Sequence, residues 1–253
     1  MKKLAVWKKL LIVLGSLVAV VAIVAASVFG TVAYLTASSK VSNVFTVGDV
    51  YLEMFESKVT SEGQIDEIAT PPGTKKNSDG NSYHLVPGKS YAKDPTIYVQ
   101  AGSEASYLFL LVRNDIKAIE DPTKTTMAQQ LVANGWVQYT YAKPSTGTTA
   151  WVYHGITDGT VNAKPTGVEG GTAGEAINTF SEFHIASNAD VSLYGGAGVT
   201  LTAIGIQTAG FTDTVNDSGE VTKTAVDAAW DAVVKTYPFI YDIEHGTTTT
   251  PNT

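Results

Sequence analysis

Four histidines, at positions 84, 154, 184 and 245, are the residues of this 253-residue chain best suited to metal or acid–base chemistry. None sits in His-Glu-x-x-His, the helical spacing that turns two imidazoles toward one zinc. Glu182 and His184 stand two apart on an expected strand, so they share a face and could supply two ligands of three. The plainer reading of that pair is a solvated strand face. His154 follows Trp151-Val152-Tyr153 and reads as a strand-end residue, while His245 opens a Thr-rich tail. The acidic stretch Asp213–Glu220 lacks the Asp-x-Asp-x-Asp-Gly spacing of a calcium hand and reads as a solvated turn. With no cysteine, thiol catalysis, Cys-based zinc sites and disulfides are all excluded. A Gly-x-Ser-x-Gly elbow and a phosphate-binding loop are absent too. Trp136, Tyr139, Tyr141, Trp151 and Tyr153 could form a carbohydrate platform, although such a stripe on strands reads more simply as sandwich core. The sequence therefore assigns no catalytic, metal-binding or cofactor-binding residue, and no cofactor is expected.

The strongest signal lies elsewhere. Lysines at 2, 3, 8 and 9 precede an uncharged stretch from Leu10 to Ser39, and Thr31-Val32-Ala33 closes its apolar part. A basic start, an apolar core and a small-x-small exit define a secretory signal peptide, with the cut expected between Ala33 and Tyr34. The apolar core from 10 to 30 is also long enough to span a bilayer, so a retained anchor is the competing reading. Cleavage would remove four lysines and take the formal charge from −7 to −11. So acidic a surface repels phosphate backbones and anionic lipid, which argues against nucleic acid as a partner. The expected location is secreted, in an extracellular matrix or at the cell surface.

The remaining 220 residues suit one domain. Tyrosine, valine, threonine and glycine are abundant, a β-rich composition. Residues 38–47 alternate with Phe45 and Val47 on one face; after Gly48 the apolar positions become Val50, Leu52 and Met54. A one-residue phase slip at a glycine separates two strands that need not share a sheet. Residues 56–82 read as a loop, and Tyr107–Val112 as a strand buried on both faces. A helix is expected to open at Asp121-Pro122 and end at Asn134-Gly135. Residues 136–141 and 149–154 read as a hairpin around Pro144–Gly147, residues 161–175 as a loop, and residues 177–185 and 199–208 as further strands. A second helix spans 224–237, with Thr224 and Asp227 in a capping pattern and Ala225, Ala228, Ala229 and Val233 inward. The tail 245–253 is expected to be disordered. Together these elements predict a mainly β fold: an antiparallel two-sheet, jelly-roll-like sandwich with about two inserted α-helices, spanning 48–244 behind an N-terminal strand at 34–47.

Thr31-Val32-Ala33-Tyr34-Leu35-Thr36, then Asn43–Gly48 and an acidic Glu53, resemble the export junction of the TasA/camelysin family, whose members are released by the dedicated signal peptidase SipW. Leu85–Lys89, Lys93-Asp94-Pro95 and Gly102–Tyr107 look like that family's next block, and Leu201–Phe211 with Ala229-Trp230 is similar to its closing block. Residues 114–175 carry no match. The resemblance implies a jelly-roll subunit of extracellular biofilm fibres, in which an N-terminal strand of one subunit completes the sheet of the next. The partners it implies are further copies of the same chain joined head to tail, other matrix proteins, and the signal peptidase during export. Here the donor would be residues 34–47, with Val41, Asn43, Phe45 and Val47 expected to face one way. Two destinations are open to that strand: a neighbour's sheet, or a sheet of its own subunit. Some camelysin-like relatives are described as metalloproteases, so a metal-dependent endopeptidase is one alternative function; a monomeric cell-surface binding module is another.

Overall fold

The computed structural model describes residues 36–69, 80–144 and 147–236. The expected signal peptide, the Ala33/Tyr34 junction and the expected tail lie outside these residues. In chain order the described strands are β1 (Thr36–Val47), β2 (Leu52–Phe55), β3 (Lys58–Val59), β4 (Ile65–Glu67), β5 (Asn81–His84), β6 (Ser90–Ala92), β7 (Thr96–Val99), β8 (Ser106–Asn114), β9 (Trp136–Gln138), β10 (Thr148–Tyr153), β11 (Ile156–Thr157), β12 (Thr160–Val161), β13 (Glu175–Asn178), β14 (Glu182–His184), β15 (Val199–Gln207), β16 (Thr214–Val215) and β17 (Val221–Lys223). The helices are α1 (Met127–Ala133) and α2 (Ala225–Thr236). The described residues are thus mainly β with two α-helices, as composition and turn spacing predict.

A six-stranded sheet in the order β5-β1-β15-β8-β10-β9 forms the centre. One of its faces meets a three-stranded sheet, β13-β7-β2, and the β14-β6 pair. Leu108, Leu110 and Val112 of β8 and Leu201 and Ala203 of β15 pack there against Leu52, Ile97, Val99, Ile177 and Phe183. The other face is covered by α2, where Phe109, Leu111, Ile204 and Ile206 meet Val226, Ala229, Trp230 and Val233. Strand alternation sends neighbouring residues of β8 into different cores, which is why its run is continuously apolar.

Close approach of the two layers explains Gly205. A Cβ built there would stand 2.7 Å from Leu52 Cδ1 and 3.1 Å from Val50 Cγ1, so only glycine lets β2 lie this near β15.

Several boundaries differ from expectation. The first helix starts at Met127 rather than at Pro122. Asp121 spends its carboxylate on the Thr123 N–H (2.9 Å) and hydroxyl (2.7 Å), and Thr126 forms a capping box with Gln129 instead. Residues 177–185 do not make one strand but end β13 and form β14, which pair with β7 and β6 respectively. Pro95 stands between β6 and β7 and lacks an N–H, so the ladder cannot run through. The supposed loop at 56–82 contains the β3–β4 hairpin and the start of β5, with 70–79 outside the described residues. In α2, Val226 and Trp230 join Ala229 and Val233 inside, whereas Ala225 and Ala228 are half-buried. Its cap is the expected one: the Asp227 N–H donates to Thr224 Oγ1 at 3.1 Å, and the Thr224 N–H to the Asp227 carboxylate at 3.3 Å.

Candidate functional site

β1 lies inside the six-stranded sheet. Its first four residues pair antiparallel with β5, from Thr36 opposite His84 to Ser39 opposite Asn81. From Lys40 to Val47 it runs parallel to β15, from Lys40 opposite Thr200 to Val47 opposite Ile206. On its far side β15 pairs with β8 over nine antiparallel positions, Val199–Gln207 against Ser106–Asn114. The seat of β1 is therefore the flank of a strand whose Leu201, Ala203, Ile204 and Ile206 are fully enclosed.

Two half-buried anchors fix β1 on this flank. Val44 packs against the core between the sheets, and Val47 against the core beneath α2. The ladder shifts by one residue between Val41 and Asn43, which stand opposite the consecutive residues Leu201 and Thr202. The shift falls inside the set Val41, Asn43, Phe45 and Val47, so that set does not keep one unbroken register phase against β15. At the C-terminal end Gly48 turns the chain at φ +86°. The Val50 N–H donates to the Gly48 carbonyl at 2.9 Å, and a Cβ at residue 48 would lie 2.5 Å from the Gln207 side-chain oxygen. The chain then leaves for β2 in the other layer, the change of sheet that the phase slip at Gly48 predicts.

The chemistry-bearing residues are scattered. Glu182 and His184 do share a face, 3.5 Å apart, and the Ser90 hydroxyl lies 2.6 Å from His184 Nδ1 across the β6–β14 pair. His84 faces Glu62 at 3.9 Å. His154 is buried at the end of β10, with Nδ1 at 2.7 Å from the Asn162 carbonyl. Among the described residues no three of His, Asp and Glu are placed to hold one metal ion. Asn216 organises the acidic loop, accepting from the Ser218 and Glu220 N–H groups and donating to the Glu220 carboxylate. Trp136, Tyr139 and Trp151 are core residues. The Tyr139 hydroxyl donates to Asp227 at 2.7 Å, and burial with that carboxylate pushes its ionisation far up. Tyr141 alone of the three tyrosines in the stripe is well exposed, and its hydroxyl donates to Asp231.

One cluster carries no signal in the sequence. Lys93 and Glu56 are both wholly enclosed and paired at 2.7 Å. The other Glu56 oxygen accepts from Asn81 Nδ2 at 2.8 Å, and Asn81 is itself buried. Burial raises the Glu56 carboxyl above its usual range, against the pull of Lys93. Beside it the Ser57 N–H and hydroxyl donate to Asp94, at 2.8 and 2.6 Å. The three residues sit far apart in turn-like polar stretches, where charged and amide side chains look like solvated surface.

Among the described residues no helix is long and apolar enough to cross a membrane. Compared with protein-family models, with curated proteins and with solved structures, the chain matches none.

Proposed function

We propose that this chain is an exported structural subunit of an extracellular fibre of the TasA/camelysin kind, and that it polymerises by passing β1 to the next subunit. The observation that carries this reading is the seat of β1. A parallel neighbour cannot be supplied by a tight hairpin, and β1 is joined to the rest of its domain only through the turn at Gly48. Withdrawing it opens a slot between β5 and β15, with a row of unpaired N–H and C=O groups along residues 200–206. Each such group left dry and unpaired costs about 1–3 kcal/mol, so the slot requires a strand. The same segment of a second copy satisfies it in the same register, and a head-to-tail contact of that kind grows without closing.

The register supplies the test. With no native cysteine, a Lys40→Cys/Thr200→Cys pair reports which chain fills each slot. Oxidised filaments should give a ladder of covalent oligomers on a denaturing gel. Oxidised monomers should lock β1 into its own sheet and fail to assemble until reduced. Filaments whose cross-links are all intrachain would defeat the exchange. A sample that stays monomeric under every assembly condition would favour a cell-surface binding module, and casein cleavage abolished by a chelator would favour the endopeptidase.

A further inference from the structure

We infer that Lys93, Asn81 and Glu56 form a self-reacting cluster, in which the Lys93 amine displaces ammonia from the Asn81 carboxamide and leaves an intramolecular amide cross-link. Glu56 bridges the two reactants: Oε2 is 2.7 Å from Lys93 Nζ and Oε1 is 2.8 Å from Asn81 Nδ2. The amide orientation is fixed by its neighbours. Nδ2 also donates to the Ser57 carbonyl at 2.9 Å, while Oδ1 accepts the Val59 N–H at 3.0 Å. Nucleophile, proton carrier, electrophile and a backbone donor on the electrophile's oxygen are thus assembled in one place.

The steps balance. Glu56 carboxylate takes a proton from the Lys93 ammonium, and the freed lone pair forms a bond to Asn81 Cγ. The carbonyl electrons move onto Oδ1, where the Val59 N–H stabilises them. As they return, the Cγ–Nδ2 bond breaks and its electron pair leaves with nitrogen. That nitrogen is already hydrogen-bonded to Glu56 Oε1, which relays the first proton to it so that it departs as ammonia, and Glu56 then takes the second proton that the Lys93 nitrogen sheds as it becomes an amide. The products are a secondary amide, ammonia and a protonated Glu56, and no oxidant or cofactor is needed.

Energetics favour the same direction. An ion pair with both partners at 0 % exposure sets a heavy desolvation cost against its attraction. The cross-linked state holds an uncharged amide and an uncharged carboxylic acid instead. Burial already pushes Glu56 toward its protonated form. The enclosure that makes the charges costly also keeps water from competing for the Asn81 carbonyl. The bond would tie β5, the neighbour of β1, to the end of β6, in a chain that has no cysteine for a disulfide. It does not rest on the fibre reading, and either can fail alone.

Peptide mass analysis of the denatured full chain decides it. Trypsin should give residues 77–89 joined to 90–113 through an uncleaved Lys93, lighter by one ammonia than the two peptides together. Glu56→Gln should abolish the link while keeping both reactants, and Asn81→Asp should keep it with loss of water instead of ammonia. Separate, full-mass peptides 77–89 and 90–93 from the native chain would overturn the proposal. A link from Lys93 to the Glu56 peptide, with loss of one water, would overturn Asn81 as the acceptor. A link that persists in Glu56→Gln would remove Glu56 from the chemistry.

Discussion

β15 has two neighbours, and they hold it differently. On one flank β8 pairs with it along nine antiparallel positions without a register shift, and β8 is buried on both faces. On the other flank β1 runs parallel, carries a register shift, and exchanges partners from β5 to β15 partway along. β8 is enclosed in both cores along its length; of the described β1 side chains, Val44 touches one core and Val47 the other, and both are half-buried. The difference separates a strand that specifies the fold from one that occupies a place in it. The proposed exchange asks the sheet to be rigid along one strand's flank and replaceable along the other, which is physically consistent because side-chain burial and backbone pairing are separate sources of stability.

The largest effect is expected on the β8 flank. Leu110 is fully enclosed between the sheets, so Leu110→Ala should lower the unfolding free energy by about 2–5 kcal/mol in denaturant titration. Filament formation should fall only in proportion to the folded fraction. Gly48→Ala comes next. A left-handed backbone carrying a Cβ costs roughly 1–2 kcal/mol, and the Gln207 side chain must also move. Because this turn sets the path of β1, assembly kinetics should change more than the melting midpoint. Val44→Ala should cost about 1 kcal/mol, near the transfer value of the methyl groups it removes. If the β1 flank is the replaceable one, this variant should loosen the seat of β1 alike in monomers and filaments, so that subunits leave filaments faster; filaments that dissociate no faster than those of the native chain would erase the contrast.

The smallest effect is electrostatic. Glu120 sits half-buried beside α1, accepting the Met127 N–H at 3.2 Å, and burial raises its carboxyl above the usual 4.5. The folded state therefore holds this proton more tightly than the unfolded chain does. The stability so gained is complete below the usual value and is lost as pH rises through the raised one. Glu120→Gln should flatten that part of the stability–pH curve, read from melting midpoints across the acidic range, without touching the β1 flank.

How much was legible in the sequence varies with the distance over which the physics acts. The phase slip at Gly48, the two-faced burial of β8 and the Thr224–Asp227 cap are local patterns, and each is present as read; the pairing of β9 with β10 is present too, although β9 ends at Gln138 rather than Tyr141. Helix α1 opened late because Asp121 found a nearer use for its carboxylate in Thr123. The break between β13 and β14 is dictated by Pro95, some 80 residues away in sequence. Glu182 and His184 share a face as their spacing predicts, yet the third group beside them is the Ser90 hydroxyl, brought across a strand pair.

By itself the sequence determined the class of fold, the place where β1 ends, and which residues lack any known catalytic spacing. Periodicity, capping and turn chemistry act over a few residues, so a single chain displays them directly. Only the tertiary structure decided that β1 lies parallel to β15 between two strands, and that Glu56, Asn81 and Lys93 meet in the buried interior. Both depend on contacts between segments far apart in the chain. Burial, which encloses a lysine and a glutamate of polar stretches as an ion pair, is a property of the packed whole rather than of any stretch of residues.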